Sequence, residues 1–298
     1  MSGLDLPAYL TERRALVDAA IERVLPPEDA PPPTVHRAMR YSVMAGGKRL
    51  RPILVIAGAE AVGGAAAEVM PTACALELIH TYSLIHDDLP AMDDDDYRRG
   101  RLTSHKVFGE AIAILAGDAL LTLAFKLIAG NAALVRDPRV VGDTVAEIAD
   151  AAGTAGMVGG QVVDIESEGK AVSAETLEYI HLHKTAALIR ASLRVGARLA
   201  GGDAAAVAAI SEAGRDLGLA FQIVDDILDV EGSLEQLGKT AGSDERKQKA
   251  TYPALHGLEA SRREARRLVE RVKTRLAGFG ERAAPLGALA DYVFERKN

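Results

Sequence analysis

The chain has 298 residues, 48% of them hydrophobic and 26% charged, with a net charge of −7, one cysteine and no tryptophan. This is enough apolar material for a large core. The lone Cys74 excludes an intramolecular disulfide framework and suits a reducing compartment, and no basic tract interleaved with aromatics points to nucleic acid. The first residues, Met1-Ser2-Gly3-Leu4-Asp5, lack the basic start and apolar run of a signal peptide; the longest apolar stretch, Ala111 to Phe125, contains Asp118 and stops short of the roughly 20 residues of a membrane span, so a cytoplasmic chain with no membrane partner is expected.

Helical periodicity dominates, and with aromatics at 4% and alanine abundant, no convincing strand emerges. Leu10, Ala15, Val17, Ile21 and Val24 predict a first helix that Pro26-Pro27 ends. Thr34 is a suitable N-cap for a helix through Met44, stopped by Gly46-Gly47, and Pro52 sits near the start of the next, which Gly63-Gly64 ends. Further helices are predicted over about 67–86, 108–128, 138–167, 174–200, 204–231, 250–277 and 284–296. The simplest architecture is a single all-α domain over residues 1–298. Gly117, Gly156, Gly159, Gly160, Gly196 and Gly218 interrupt apolar helical segments, which points to close helix–helix approach or to a ligand.

Two aspartate-rich motifs carry the chemistry: Asp87-Asp88-Leu89-Pro90-Ala91-Met92-Asp93, running on into Asp94-Asp95-Asp96, and Asp225-Asp226-Ile227-Leu228-Asp229. Each follows an apolar run, where clustered carboxylates repel one another unless cations neutralise them. Oxygen ligands without His or Cys point to Mg²⁺ rather than zinc or iron. Asp225 and Asp229 are four apart and share a helical face, with Asp226 beside them, whereas Asp87 and Asp93 are six apart and do not. Pro90 resolves this: it cannot continue the helix, so the chain is expected to loosen there and swing Asp93 back toward Asp87 and Asp88. Asp94 to Asp96 suit a solvated helix end equally well. Cys74, in an apolar run, reads as core filler and not as a nucleophile.

These motifs, with their neighbours, resemble the trans-isoprenyl diphosphate synthase family over nearly the whole chain, and the bacterial farnesyl diphosphate synthases in particular. Gly46-Gly47-Lys48-Arg49-Leu50-Arg51-Pro52, the first aspartate region followed by Arg98-Arg99-Gly100, His183-Lys184-Thr185, Phe221-Gln222 with the second aspartate region, and Gly238-Lys239 through Gly242-Ser243-Asp244 occur in the family's order. The resemblance implies an isoprenoid-synthase-type helical bundle around a deep central cavity, usually a homodimer, that condenses an allylic diphosphate with isopentenyl diphosphate head to tail. It implies Mg²⁺, three ions per active site, held by Asp87, Asp88, Asp93, Asp225, Asp226 and Asp229. Lys184, Arg98 and Lys239 would supply fixed positive charge around the allylic diphosphate, with the Thr185 hydroxyl and Gln222 near the developing cation. Lys48, Arg51 and Arg99, with His80, match the isopentenyl diphosphate pocket. No side chain is assigned as general base, since the released diphosphate is expected to take the proton.

Product length in such proteins is set by bulk just upstream of the first motif. Tyr82 lies five residues before Asp87 and Ser83 four before, so an aromatic ring one turn below the metal site would stop growth at C15, farnesyl diphosphate; a C20 synthase is the alternative. A silent subunit of a heteromeric synthase would be expected to lose some of these aspartates or basic residues. A terpene cyclase usually carries a mixed Asn/Ser/Glu second motif and lacks the basic site. Both expectations favour a condensing enzyme.

Overall fold

The computed structural model describes residues 4–231 and 251–296; Lys239 and the Gly238–Asp244 stretch lie outside the described residues. Helix α1 (Leu6–Val24) is capped by the Asp5 carboxylate, which accepts from the Ala8 N–H at 3.0 Å. Helix α2 (Pro33–Val43) begins two residues earlier than the Thr34 cap implies: Pro32 is the extended cap and Pro33 the first helical residue, where its fixed φ and missing N–H suit the position. There follow α3 (Leu50–Ala61), α4 (Ala66–Asp87), α5 (Ser104–Phe108), α6 (Glu110–Gly130), α7 (Arg139–Ala152), α8 (Met157–Ser167) and α9 (Ala174–Ile180). A π-helical turn (His181–Ala186) leads into α10 (Ala187–Leu199), then α11 (Ala204–Glu231), α12 (Tyr252–His256), α13 (Leu258–Leu276) and α14 (Ala284–Glu295).

Two predicted helices are each broken by glycine. The 138–167 segment divides where the Gly153 N–H caps α7 on the Ala149 carbonyl at 2.8 Å and Gly156 precedes α8. Gly257 (φ +80°) likewise divides α12 from α13, and Gly109 (φ +83°) separates α6 from the short α5, which precedes the predicted 108–128 segment. The sequence shows no strand, yet a short hairpin pairs β1 (Tyr97–Arg98) with β2 (Arg101–Leu102). Its two-residue loop, Arg99-Gly100, has φ of +52° and +73°, both positive as in the tight turns that match strand twist.

Two clusters of buried apolar side chains form the interior. One gathers α1, α2, α4, α6 and α7; the other gathers α11, α13 and α14; α3 and α10 contribute to both. Those two central helices touch backbone to backbone because glycine removes the intervening side chains: a Cβ on Gly58 would lie 2.3 Å from the Leu193 carbonyl oxygen, and one on Gly196 2.0 Å from that of Val55. Cys74 is 1% exposed inside the first cluster, and burial pushes its thiol up to about 12, as expected of core filler.

The apolar stretch at α6 is longer than the sequence inspection allows. Glu110–Ala133, 24 residues, is long and apolar enough to cross a membrane by length and composition. One side packs on α4, where Gly117 leaves room for the His86 ring, and the other leaves Ile114 and Leu115 42% and 54% exposed.

Candidate active site

Helix α4 delivers the first motif and stops where Pro90 requires. The chain folds back so that the Asp93 N–H donates to the Asp87 carbonyl at 2.8 Å and the Asp94 N–H to that of Leu89 at 3.1 Å, with Asp94 in the left-handed region (φ +52°). Asp93 is thereby returned to Asp87, as the spacing required. Burial pushes the Asp87 carboxyl up to about 6; the Lys184 ammonium opposes this, while the charges of Asp93 and Asp88 add to it.

Asp88 departs from the expected set of cation ligands. It is 3% exposed and accepts from Arg98 Nε at 2.6 Å, so its carboxylate already has a cationic partner, and Arg98 also reaches Asp95 at 3.5 Å. The later aspartates behave as a solvated end, Asp96 pairing with Lys106 at 2.7 Å.

On α11, Asp225 is half-exposed, while Asp226 and Asp229 point inward at 3% and 5% exposure. Asp226 is engaged within the fold: Oδ1 accepts from Gln222 Nε2 at 2.8 Å, and Oδ2 accepts from the Tyr252 N–H at 2.7 Å and lies 3.2 Å from His181 Nε2. Asp229 differs again, because its Oδ1 is buried without a hydrogen-bond partner among the described residues.

The π-helical turn joins the two motifs. Its extra residue per turn rotates the chain so that Lys184 lies close enough to Asp87 to perturb it, while Thr185 Oγ1 donates to Gln222 Oε1 at 2.6 Å. The turn is clamped by glycines on both sides: a Cβ on Gly160 would lie 2.3 Å from the Lys184 nitrogen, and one on Gly218 2.6 Å from Ala186 Cα.

The basic residues form a separate cluster. Arg51 Nε is buried without a hydrogen-bond partner among the described residues, and burial, reinforced by the Arg99 charge, lowers the Arg51 pKa to about 10. Burial, together with the charges of Arg51 and Arg99, holds His80 well below its ordinary value, so its ring is neutral. Arg99, on the hairpin turn, donates to the Gly46 carbonyl and lies over Gly47, where a Cβ would sit 2.8 Å from its guanidinium carbon. Lys48 Nζ lies 6.0 Å from the Tyr292 ring centre, on the border of a cavity of about 200 Å³ lined also by Leu50, Phe221 and Arg296. Tyr82 is 8% exposed and sits edge-on to His86 at 5.6 Å, and Ser83 donates to the His80 carbonyl at 2.9 Å.

Three contributors escaped the sequence inspection. Asp164, on α8, accepts from Lys184 Nζ at 2.6 Å; an acid set in the apolar run Val162-Val163-Asp164-Ile165 carried the same signal as the two motifs. Arg49, between Lys48 and Arg51, faces inward to Glu77 at 2.7 Å and Asp18 at 2.8 Å. His181 stands one turn before Lys184, and its partner Asp226 is remote in sequence. A further basic residue, Arg296, lays its guanidinium 4.0 Å over the Phe221 ring and reaches Asp225 Oδ1 at 3.4 Å, so it closes over the second motif.

Among the described residues no three carboxylates converge closely enough to cage a cation unaided. The donor set nonetheless fits Mg²⁺, which keeps water and takes phosphate oxygens as partners instead of requiring an all-protein cage. Asp87 and Asp93 side by side, Asp225 half-exposed and the orphaned Asp229 oxygen supply hard, anionic donors for ions bridged by a diphosphate.

The polyprenyl synthetase family model matches residues 32–279. The chain is 52% identical over 293 residues to a dimethylallyltranstransferase of Fischerella ambigua, covering 98% of this chain and 84% of that one. It is also 52% identical over 292 residues to the chloroplastic geranylgeranyl pyrophosphate synthase of Capsicum annuum, covering 97% and 78%. Among solved structures, geranylgeranyl pyrophosphate synthetase from Pyrococcus horikoshii superimposes with a TM-score of 0.89 at 32% identity, covering 98% of each chain. The order of the motifs, the all-helical bundle and this likeness from end to end agree: the chain belongs to the polyprenyl synthetase family of trans-isoprenyl diphosphate synthases.

Proposed function

We propose that this chain condenses an allylic diphosphate with isopentenyl diphosphate by ionisation, carbon–carbon bond formation and proton loss. One observation carries the reading: the site has two anion-binding halves of opposite design. One is built of carboxylates with Lys184 among them. The other is a buried cluster of Arg51, Arg99 and neutral His80 whose like charges disfavour one another until an anion arrives. A cyclase would need only the first half.

Asp87, Asp93 and Asp225 would hold Mg²⁺, which supplies charge neutralisation to the departing diphosphate when bound. Lys184, fixed by Asp164, and Arg98, fixed by Asp88, give that diphosphate immobile cationic donors. Lys48, Arg51, Arg99 and His80 receive isopentenyl diphosphate and align its double bond with the cation.

We assign the product as C20, geranylgeranyl diphosphate. The names of the Capsicum and Pyrococcus relatives support this. A second reading, C15, is favoured by the position of the Tyr82 ring just below Asp87. Incubation with Mg²⁺, isopentenyl diphosphate and dimethylallyl diphosphate, followed by dephosphorylation and chromatography, separates them. A C20 alcohol is expected, a C15 alcohol selects the second reading, and a cyclic hydrocarbon or no Mg²⁺-dependent product refutes the condensing function. The exposed apolar side of α6, with Ile114 and Leu115, supports a homodimer that buries it.

A further inference from the structure

We infer that Asp226 is a positioning residue that sets the direction of a hydrogen-bond relay and so decides which face of the Thr185 hydroxyl meets the substrate. The inference rests on the prenyl-transfer reading of the site.

The relay is short. Both Asp226 oxygens face N–H groups and so act as acceptors. Asp226 is 3% exposed, and its Oδ2 takes the Tyr252 N–H, leaving Oδ1 to face Gln222. Gln222 must therefore turn its NH₂ group to Asp226, at 2.8 Å, and its carbonyl oxygen to Thr185. That carbonyl in turn claims the Thr185 proton, at 2.6 Å. Amide orientation is often ambiguous, but here it follows from the chemistry of the terminal acceptor. With its proton engaged, Thr185 presents only oxygen lone pairs to the side where an allylic cation develops. A hydroxyl proton aimed there would oppose the cation; a fixed lone pair stabilises it.

His181 holds the far end. Its Nε2 lies 3.2 Å from Asp226 Oδ2, both side chains are almost fully buried, and its ring stacks on Tyr252 at 6.2 Å between centres. The π-helical turn places His181 toward Asp226 and Thr185 toward Gln222, so one local distortion serves both ends of the relay.

Asp226→Asn tests the direction without changing size. The Tyr252 N–H still requires an acceptor, so the introduced amide turns its oxygen to Tyr252 and its NH₂ to Gln222. Gln222 must then flip, and Thr185 must accept from it and turn its proton outward. We expect kcat to fall by roughly 10²-fold, the scale of losing one preorganised dipole, with KM for isopentenyl diphosphate unchanged. Calorimetric titration of Mg²⁺ with inorganic pyrophosphate should match the parent protein, which a ligand loss would not. Pairing Asp226→Asn with Gln222→Glu restores an acceptor beside Thr185 and should recover at least tenfold of the lost kcat. A loss relieved by raising Mg²⁺, weakened pyrophosphate-dependent Mg²⁺ binding, unchanged kcat in Asp226→Asn, or no recovery in the paired variant each overturns the inference. Should Asp226→Asn fail to fold, the paired variant set against the parent reads the same polarity: its kcat should lie within roughly tenfold of the parent's, and a loss of roughly 10²-fold overturns the inference. A parent protein that forms no prenyl product refutes the function instead, and is distinguishable because it does so before any substitution.

Discussion

At residue 49 the backbone adopts a left-handed φ of +50° and the guanidinium bonds Asp18 at 2.8 Å, Glu77 at 2.7 Å and the Val43 carbonyl at 2.8 Å. Arg49 is 3% exposed, and Glu77 1%, so this network anchors the loop from which Lys48 and Arg51 diverge. Breaking a buried pair from one side leaves an uncompensated charge, so Arg49→Met should destabilise the chain by about 3–5 kcal/mol in denaturant unfolding. Arg49→Lys should recover only part of that, since an ammonium cannot reproduce three divergent bonds. Asp87 yields a pH prediction. Its folded pKa of about 6 lies above the ordinary 3.8, so between these values the folded chain holds a proton that the unfolded chain releases. Stability of the metal-free protein should therefore fall as pH rises from about 4 to about 6, while Mg²⁺ binding, which needs the carboxylate, strengthens over the same interval. Calorimetric Mg²⁺ titrations with pyrophosphate across that range, compared with Asp87→Asn, check the binding trend, and thermal unfolding of the metal-free proteins checks the other; the variant should flatten both.

Among the elements, the π-helical turn is the part of the site most sensitive to packing. It is pinched between Gly160 and Gly218, and a methyl group at position 218 would meet Ala186 at 2.6 Å. Gly218→Ala should therefore cost about 1–3 kcal/mol by overpacking, and should lower kcat by displacing Lys184 and Thr185. Gly142, inside α7, has nothing within 4 Å of its would-be Cβ. Gly142→Ala should instead stabilise by about 0.5–1 kcal/mol through helix propensity alone. Thermal unfolding of the pair separates crowding from propensity, and equal shifts in the two would refute the clamp.

For the molecule as a whole, α6 poses the question of what covers its outer side. Ile114 and Leu115 stand about half in solvent on this apolar helix, and the proposed homodimer would cover them. Ile114→Glu combined with Leu115→Lys should convert a dimer to a monomer in sedimentation velocity. A parent protein that sediments as a monomer would remove the homodimer from the functional reading.

The all-helical class, the two acidic motifs and the turn at Pro90 were legible in the sequence, because each rests on a local rule: helical period, carboxylates in an apolar run, a residue that cannot continue a helix. The breaks at Gly153–Gly156 and Gly257 were missed, since helical periodicity carries across a glycine whose conformation the neighbours decide. Sequence also could not rank the aspartates. Asp87 and Asp88 are adjacent and chemically identical, yet one lies beside Asp93 and Lys184 while the other is closed off by Arg98. Asp225 and Asp226 diverge in the same way, one toward solvent and Arg296, the other toward Gln222, His181 and Tyr252. The sequence by itself determined that carboxylates and cations would gather in one helical bundle, because composition and period act over a few residues. Only the tertiary structure decided which carboxylates are left to meet a ligand, because a partner such as Arg98 on a hairpin or Tyr252 on a later helix is supplied from another part of the chain.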